Sequence, residues 1–82
     1  MTRSEVFAAI DAERERQAAK WAGAHRWGEG DCSSRVVMPI VKAAVLGEET
    51  GEVQRAILDG MDPTTELVQV AAVAVAWLES LP

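Results

Sequence analysis

The chain has 82 residues, a single cysteine, a net charge of −5 and a hydrophobic fraction of 49%. This length supports one domain, 1–82; the lone thiol excludes an intrachain disulfide; and the negative charge argues against a broad contact with a nucleic-acid backbone, which needs a positive surface. A domain this small buries only about 60–65% of the surface that its unfolded chain exposes, so association of copies is a natural source of further stability.

The first predicted helix runs from Ser4 to Trp21. Ser4 is the expected N-cap, with Glu5 in the first turn. Val6, Ile10, Gln17 and Trp21 share a face, with Phe7 beside it. The charges of "DAERERQAAK", among them Glu13, Arg14, Glu15 and Arg16, read as the solvated side. The stretch from Ala22 to Ser34 holds Gly23, Gly28 and Gly30 with Asp31, Ser33 and Ser34, a composition that disfavours a regular element. His25 and Trp27 are nonetheless unusual residues for a connecting loop. Cys32 has no neighbour that would make it a nucleophile and reads as an incidental thiol.

The second helix is expected from Arg35 or Pro39 to Leu58, since proline is tolerated in a first turn. "DGMDP", Asp59 to Pro63, ends it, with Gly60 suited to the left-handed position after a helix. Asp62 is the expected N-cap of a third helix, Pro63 to Leu81. That helix carries Leu67, Val68, Val70, Val73, Val75, Trp77 and Leu78 and is apolar nearly all round. Such a helix must be buried on every side, and two other helices cannot cover it. The expectation is therefore an all-α fold, a small antiparallel bundle of three helices completed by formation of a dimer or tetramer. No segment has the length and apolarity of a bilayer span or the pattern of a signal peptide, so a soluble cytoplasmic protein is expected.

The second helix poses the chemical question. Its apolar stripe begins at Val41, Ala44 and Val45, and helical steps of three and four carry it through Glu48, Glu52 and Ala56. Glu49 sits beside them. Like charges this close repel, and partial burial makes each more costly to ionise. A divalent cation would compensate, because hard cations take carboxylate oxygens. On the third helix Glu66 and Gln69 are three apart and share a face. Across the short turn they can lie opposite Glu49 and Glu52, bringing the carboxylates and one amide to one pocket.

"EETGE" (Glu48 to Glu52) followed by "ELVQ" (Glu66 to Gln69) resembles the E-E-x-x-E … E-x-x-D signature of the MazG-like all-α nucleoside triphosphate pyrophosphohydrolases. "ERERQAAKWAGAH" (Glu13 to His25) is similar to the family's N-terminal stretch, with a tryptophan four residues before a histidine, and "ELVQVAAVAVAWLE" is similar to phage and bacterial members. The resemblance implies Mg²⁺-dependent hydrolysis of a nucleoside or deoxynucleoside triphosphate to the monophosphate and pyrophosphate, with Mn²⁺ as a substitute metal, in a dimer or tetramer of a bacterial or phage-infected cell. It implies metal ligation by Glu49, Glu52 and Glu66, with Glu48 and Gln69 completing the set, catalytic roles for Glu48 and Glu52, and a nucleotide pocket that includes Trp21 and His25. Among Lys20, Arg35, Lys42 and Arg55, Lys42 is assigned to substrate binding. Gln69 departs from the family's aspartate: an amide oxygen brings no charge and cannot act as a general base. The alternative is therefore a non-catalytic helical module that binds a nucleotide or a protein partner through a degenerate site.

Overall fold

The computed structural model describes all 82 residues, Met1–Pro82. Helix α1 spans Arg3–Lys20, α2 spans Pro39–Leu58 and α3 spans Thr64–Ser80. The N-cap of α1 is Thr2 rather than the expected Ser4. Thr2 Oγ1 accepts from the Glu5 amide at 3.2 Å while Glu5 Oε1 accepts from the Thr2 amide at 3.0 Å. This reciprocal capping box satisfies two donors that the first turn leaves open, which a lone serine two residues further in could not do.

The glycine-rich segment predicted to be irregular contains a short antiparallel ladder. Strand β1, Ala24–His25, pairs with β2, Gly28–Glu29, with His25 opposite Gly28. Gly28 has φ +134, and a Cβ there would stand 3.1 Å from the Val36 carbonyl oxygen, so both the turn and the close approach require glycine.

Pro39 opens α2 as expected. Its end is a Schellman arrangement: Gly60 has φ +69, the Met61 amide donates to the Ala56 carbonyl at 2.8 Å, and the Gly60 amide donates to Ile57 at 3.1 Å. Asp62 does accept from the following helix, through Oδ1 to the Thr64 amide at 3.0 Å. The N-cap position itself, however, falls on Pro63.

Helix α3 is the centre of the bundle and packs against both α1 and α2, while α1 and α2 make no close backbone approach to each other. Its buried residues, Ala72, Val73, Ala76 and Ser80, are small. Val73 and Ala76 form the core with Cys32, and Val45 and Leu46 pack on it. The expectation that α3 is buried all round is met on two sides only: Leu67 and Leu78 stay 52% and 67% exposed.

Candidate functional site

Because α1 and α2 both pack on α3 without approaching each other, a cleft of about 480 Å³ opens between them. Val73 of α3 and Cys32 form part of its floor. Helix α1 contributes Arg16, Gln17 and Lys20, followed by Trp21; α2 contributes an apolar wall with Val41 and Val45 and then Glu48, Glu49 and Glu52. The hairpin segment brings His25 and Trp27. Five of the eight residues expected at the site thus line one cleft: Glu48, Glu49, Glu52, Trp21 and His25.

The aromatic end is a fixed cluster. Trp21 meets His25 edge-on with ring centroids 5.5 Å apart, and meets Trp27 at 6.3 Å. His25 is held at both ring nitrogens. Nδ1 accepts from the Trp27 amide at 3.2 Å, so Nε2 carries the proton and donates to the Gly30 carbonyl at 2.6 Å. The imidazole is therefore a pin for the hairpin; it offers a ring face to a ligand, with both nitrogens held by the hairpin's own backbone. The Lys20 ammonium lies 5.6 Å from the Trp21 ring, a cation–π distance.

An ionic clamp, buried at Arg14 and Asp31 and open to solvent at Glu79, fastens this end. Arg14 Nη1 donates to Asp31 Oδ2 at 2.7 Å and Arg14 Nε donates to Glu79 Oε2 at 2.6 Å, joining α1, the loop and α3. Asp31 Oδ1 accepts from the Ser33 amide and hydroxyl. Burial pushes the Asp31 carboxyl up, but the hydrogen bonds from Ser33 and Arg14 outweigh it and hold the group below its ordinary range. Arg14 and Glu13 correct the reading of this segment as a solvated face, since each side chain is only 11% exposed. The signal was present in the spacing: Arg14 falls on the same stripe as Ile10, Gln17 and Trp21.

The acidic end is electrostatically unsettled. Burial, then the neighbouring charge of Glu52, pushes the Glu49 carboxyl above its ordinary value; Glu13 adds to this from across the cleft and Arg16 offsets it in smaller part. Arg16 is engaged with Glu13 through two hydrogen bonds of 2.7 and 2.6 Å, so it is not a dedicated partner for Glu49. Glu49 Oε2 is sealed from solvent and has no hydrogen-bond partner, and the same is true of Glu66 Oε2. An orphaned buried acceptor costs about 1–3 kcal/mol.

Three expected residues stand elsewhere. Lys42 is turned away from the cleft: its side chain is 3% exposed and its ammonium donates to Ser80 Oγ at 2.7 Å. It lines a separate recess beside Arg35 and Trp77, so it does not serve this cleft. The helical phase explains the error, because Lys42 points to the C-terminal end of α3 while Val41 and Val45 face the cleft. Glu66 and Gln69 are half-buried on α3 and lie outside the cleft lining. No three His, Cys, Asp or Glu side chains converge on one point as a ligand set. The expected set of five is therefore not assembled within one chain. What the cleft retains is the Glu49–Glu52 pair with Glu48 beside it. That donor set suits a magnesium ion held by one or two carboxylates, with waters and phosphate oxygens completing the octahedron.

Cys32 is buried, and burial followed by the charge of Asp31 pushes its thiol up, which keeps it protonated at neutral pH and agrees with an unreactive thiol. No helix is long and apolar enough to cross a membrane. Comparison with family models, curated proteins and solved structures finds no match to this chain.

Proposed function

We propose that the chain binds a nucleoside triphosphate in the cleft between α1 and α2 and hydrolyses it, with Mg²⁺, to the monophosphate and pyrophosphate. The observation that carries this is the meeting, in one cleft, of an aromatic cluster, two cationic side chains and an acidic helix face with an orphaned carboxylate oxygen. A base stacks on Trp21, with Trp27 and the His25 ring face completing the aromatic end. Lys20 and Arg16 attract the phosphates along the α1 wall. Glu49 and Glu52, with Glu48, hold the cation that accompanies the phosphates; when bound, that ion offsets the charge building on the phosphate oxygens during attack by water. Glu48 and Glu52 are exposed on the cleft wall, where either carboxylate can take the proton of the attacking water.

Two copies are the proposed assembly, with the apolar edge of α3 at Leu67 and Leu78 covered between them. A second reading is a nucleotide-binding module without turnover. It is favoured by the single observation that Glu66 and Gln69 do not join the other carboxylates. Pyrophosphate release from a panel of triphosphates with Mg²⁺, run beside Glu49→Gln and Glu52→Gln, separates the two. Turnover by the wild type that falls at least tenfold in both variants is expected. Binding without turnover supports the module, and the absence of both removes the nucleotide assignment.

A further inference from the structure

Gln17 is 8% exposed, yet it lines the cleft. Its amide nitrogen donates to Glu13 Oε2 at 3.2 Å. An ionised carboxylate only accepts hydrogen bonds, which fixes the amide orientation and sends Oε1 the other way. That oxygen accepts from no protein donor and is not sealed off from solvent, unlike the orphaned oxygens of Glu49 and Glu66. A nearly buried side chain of the cleft lining thus keeps one unclaimed acceptor, beside the second N–H of its own amide.

The other side-chain acceptors near the aromatic cluster are taken. Asp31 Oδ1 is held by Ser33 and Oδ2 by Arg14, and His25 Nδ1 accepts from the Trp27 amide. The depth of each group sorts the cleft into layers. Gln17, Cys32 and Val73 are buried, whereas Trp21 and Trp27 and the charged Arg16, Lys20, Glu48 and Glu52 reach the exposed rim. Phosphates belong at the charged rim and the edge of the base belongs below. Gln17 lies one helical turn before Trp21, the C-cap of α1, so a base stacked on that indole has Gln17 within reach of its inner edge.

We infer that Gln17 is a specificity-determining residue whose side-chain oxygen accepts a hydrogen bond from the exocyclic amino group of the base, so that the cleft prefers cytosine and adenine nucleotides to uracil and hypoxanthine ones. This rests on the nucleotide reading above. A keto oxygen in place of the amino group would face Oε1 acceptor to acceptor, and pairs only if the base shifts toward the second N–H of the amide.

The test is titration of tryptophan fluorescence with the α,β-methylene analogues of CTP and UTP, and of ATP and ITP, in the presence of Mg²⁺. The wild type is expected to bind the amino member of each pair roughly 3- to 10-fold more tightly, the value of one neutral hydrogen bond. Gln17→Met, which keeps the shape and removes the acceptor, is expected to bring both ratios near one while its melting transition stays cooperative. Measurable binding with no amino preference in the wild type overturns the inference and leaves the nucleotide assignment standing, as does a preference that survives Gln17→Met. If that variant does not fold, the wild-type ratios decide alone. Failure of all four analogues to bind removes the nucleotide assignment and this inference with it.

Discussion

Replacing Glu49 by glutamine should stabilise the unliganded protein. Its carboxylate is half-buried, has one oxygen without a partner, and stands beside Glu52 with Glu13 opposite. Two like charges at about 4 Å repel by about 1 kcal/mol in water and about 4 kcal/mol at an effective dielectric constant of 20. Glu52 is exposed, so solvent screening favours the lower figure, and Arg16 offsets a further part. A net gain of about 1 kcal/mol is expected, which for a domain of this size raises Tm by about 4–8 °C. The sign with pH follows from linkage. A carboxyl whose folded pKa is raised leaves stability intact below its unfolded pKa and lowers it as pH rises through the folded value. The variant's advantage should therefore be full at pH 7 and vanish below the ordinary carboxylate range. Mg²⁺ should raise the Tm of the wild type more than that of the variant, because only the wild type keeps the charge that holds it. Thermal melts followed by circular dichroism from pH 3 to 8, with and without Mg²⁺, provide the measurement. A variant that melts no higher than the wild type at pH 7, or whose difference does not change with pH, refutes the electrostatic account of the acidic end.

Arg14→Met should cost about 3 kcal/mol in urea denaturation by leaving Asp31 buried and unpaired. Because Asp31 is held below its ordinary range, its contribution is present above that range and lost as pH falls through the depressed value, so the variant's acid-unfolding midpoint should move upward. Lys42→Met should leave the unfolding free energy in urea titration unchanged or raise it by about 1 kcal/mol, since it removes a buried charge that has one hydrogen-bond partner. It should leave nucleotide affinity unchanged, and a loss of affinity by calorimetry would return Lys42 to the substrate site. Trp21→Ala should weaken nucleotide binding by the roughly 1–3 kcal/mol of a stacked base. An equal affinity in equilibrium dialysis would move the base elsewhere in the cleft. Gln69→Asp should change Mg²⁺ affinity by less than about twofold, as carboxylates outside a site act weakly through screened charge.

Three helices were legible because their punctuation is strong: Pro39 at the start of α2, Gly60 at its end, and the unbroken apolar run of α3. The acidic face of α2 was legible for the same reason, since helical steps alone carry the stripe through Glu48 and Glu52. The hairpin at Ala24–Glu29 was not, because two-residue strands carry no alternation to detect. Lys42 misled because its long side chain follows the direction set by its own helical phase, one residue from a cleft-facing valine. Arg14 misled through composition: in a charged run nothing distinguishes a buried cation from a wet one until its distant partners, Asp31 and Glu79, are known. Glu66 and Gln69 shared a face as expected, but whether that face reaches the α2 carboxylates depends on interhelical register, which sequence spacing leaves open.

The walls of the cleft make no close backbone approach to each other; α3 joins them along their length and the Asp31–Cys32 loop segment joins them at one end. Each wall can therefore tilt about its own seam with the central helix, as two leaves turn on one spine, and the small side chains of those seams permit it. A guest that grips both leaves supplies a further crossbar. The empty protein should accordingly exchange its α1 and α2 amides faster than those of α3, and occupancy should slow the outer helices most.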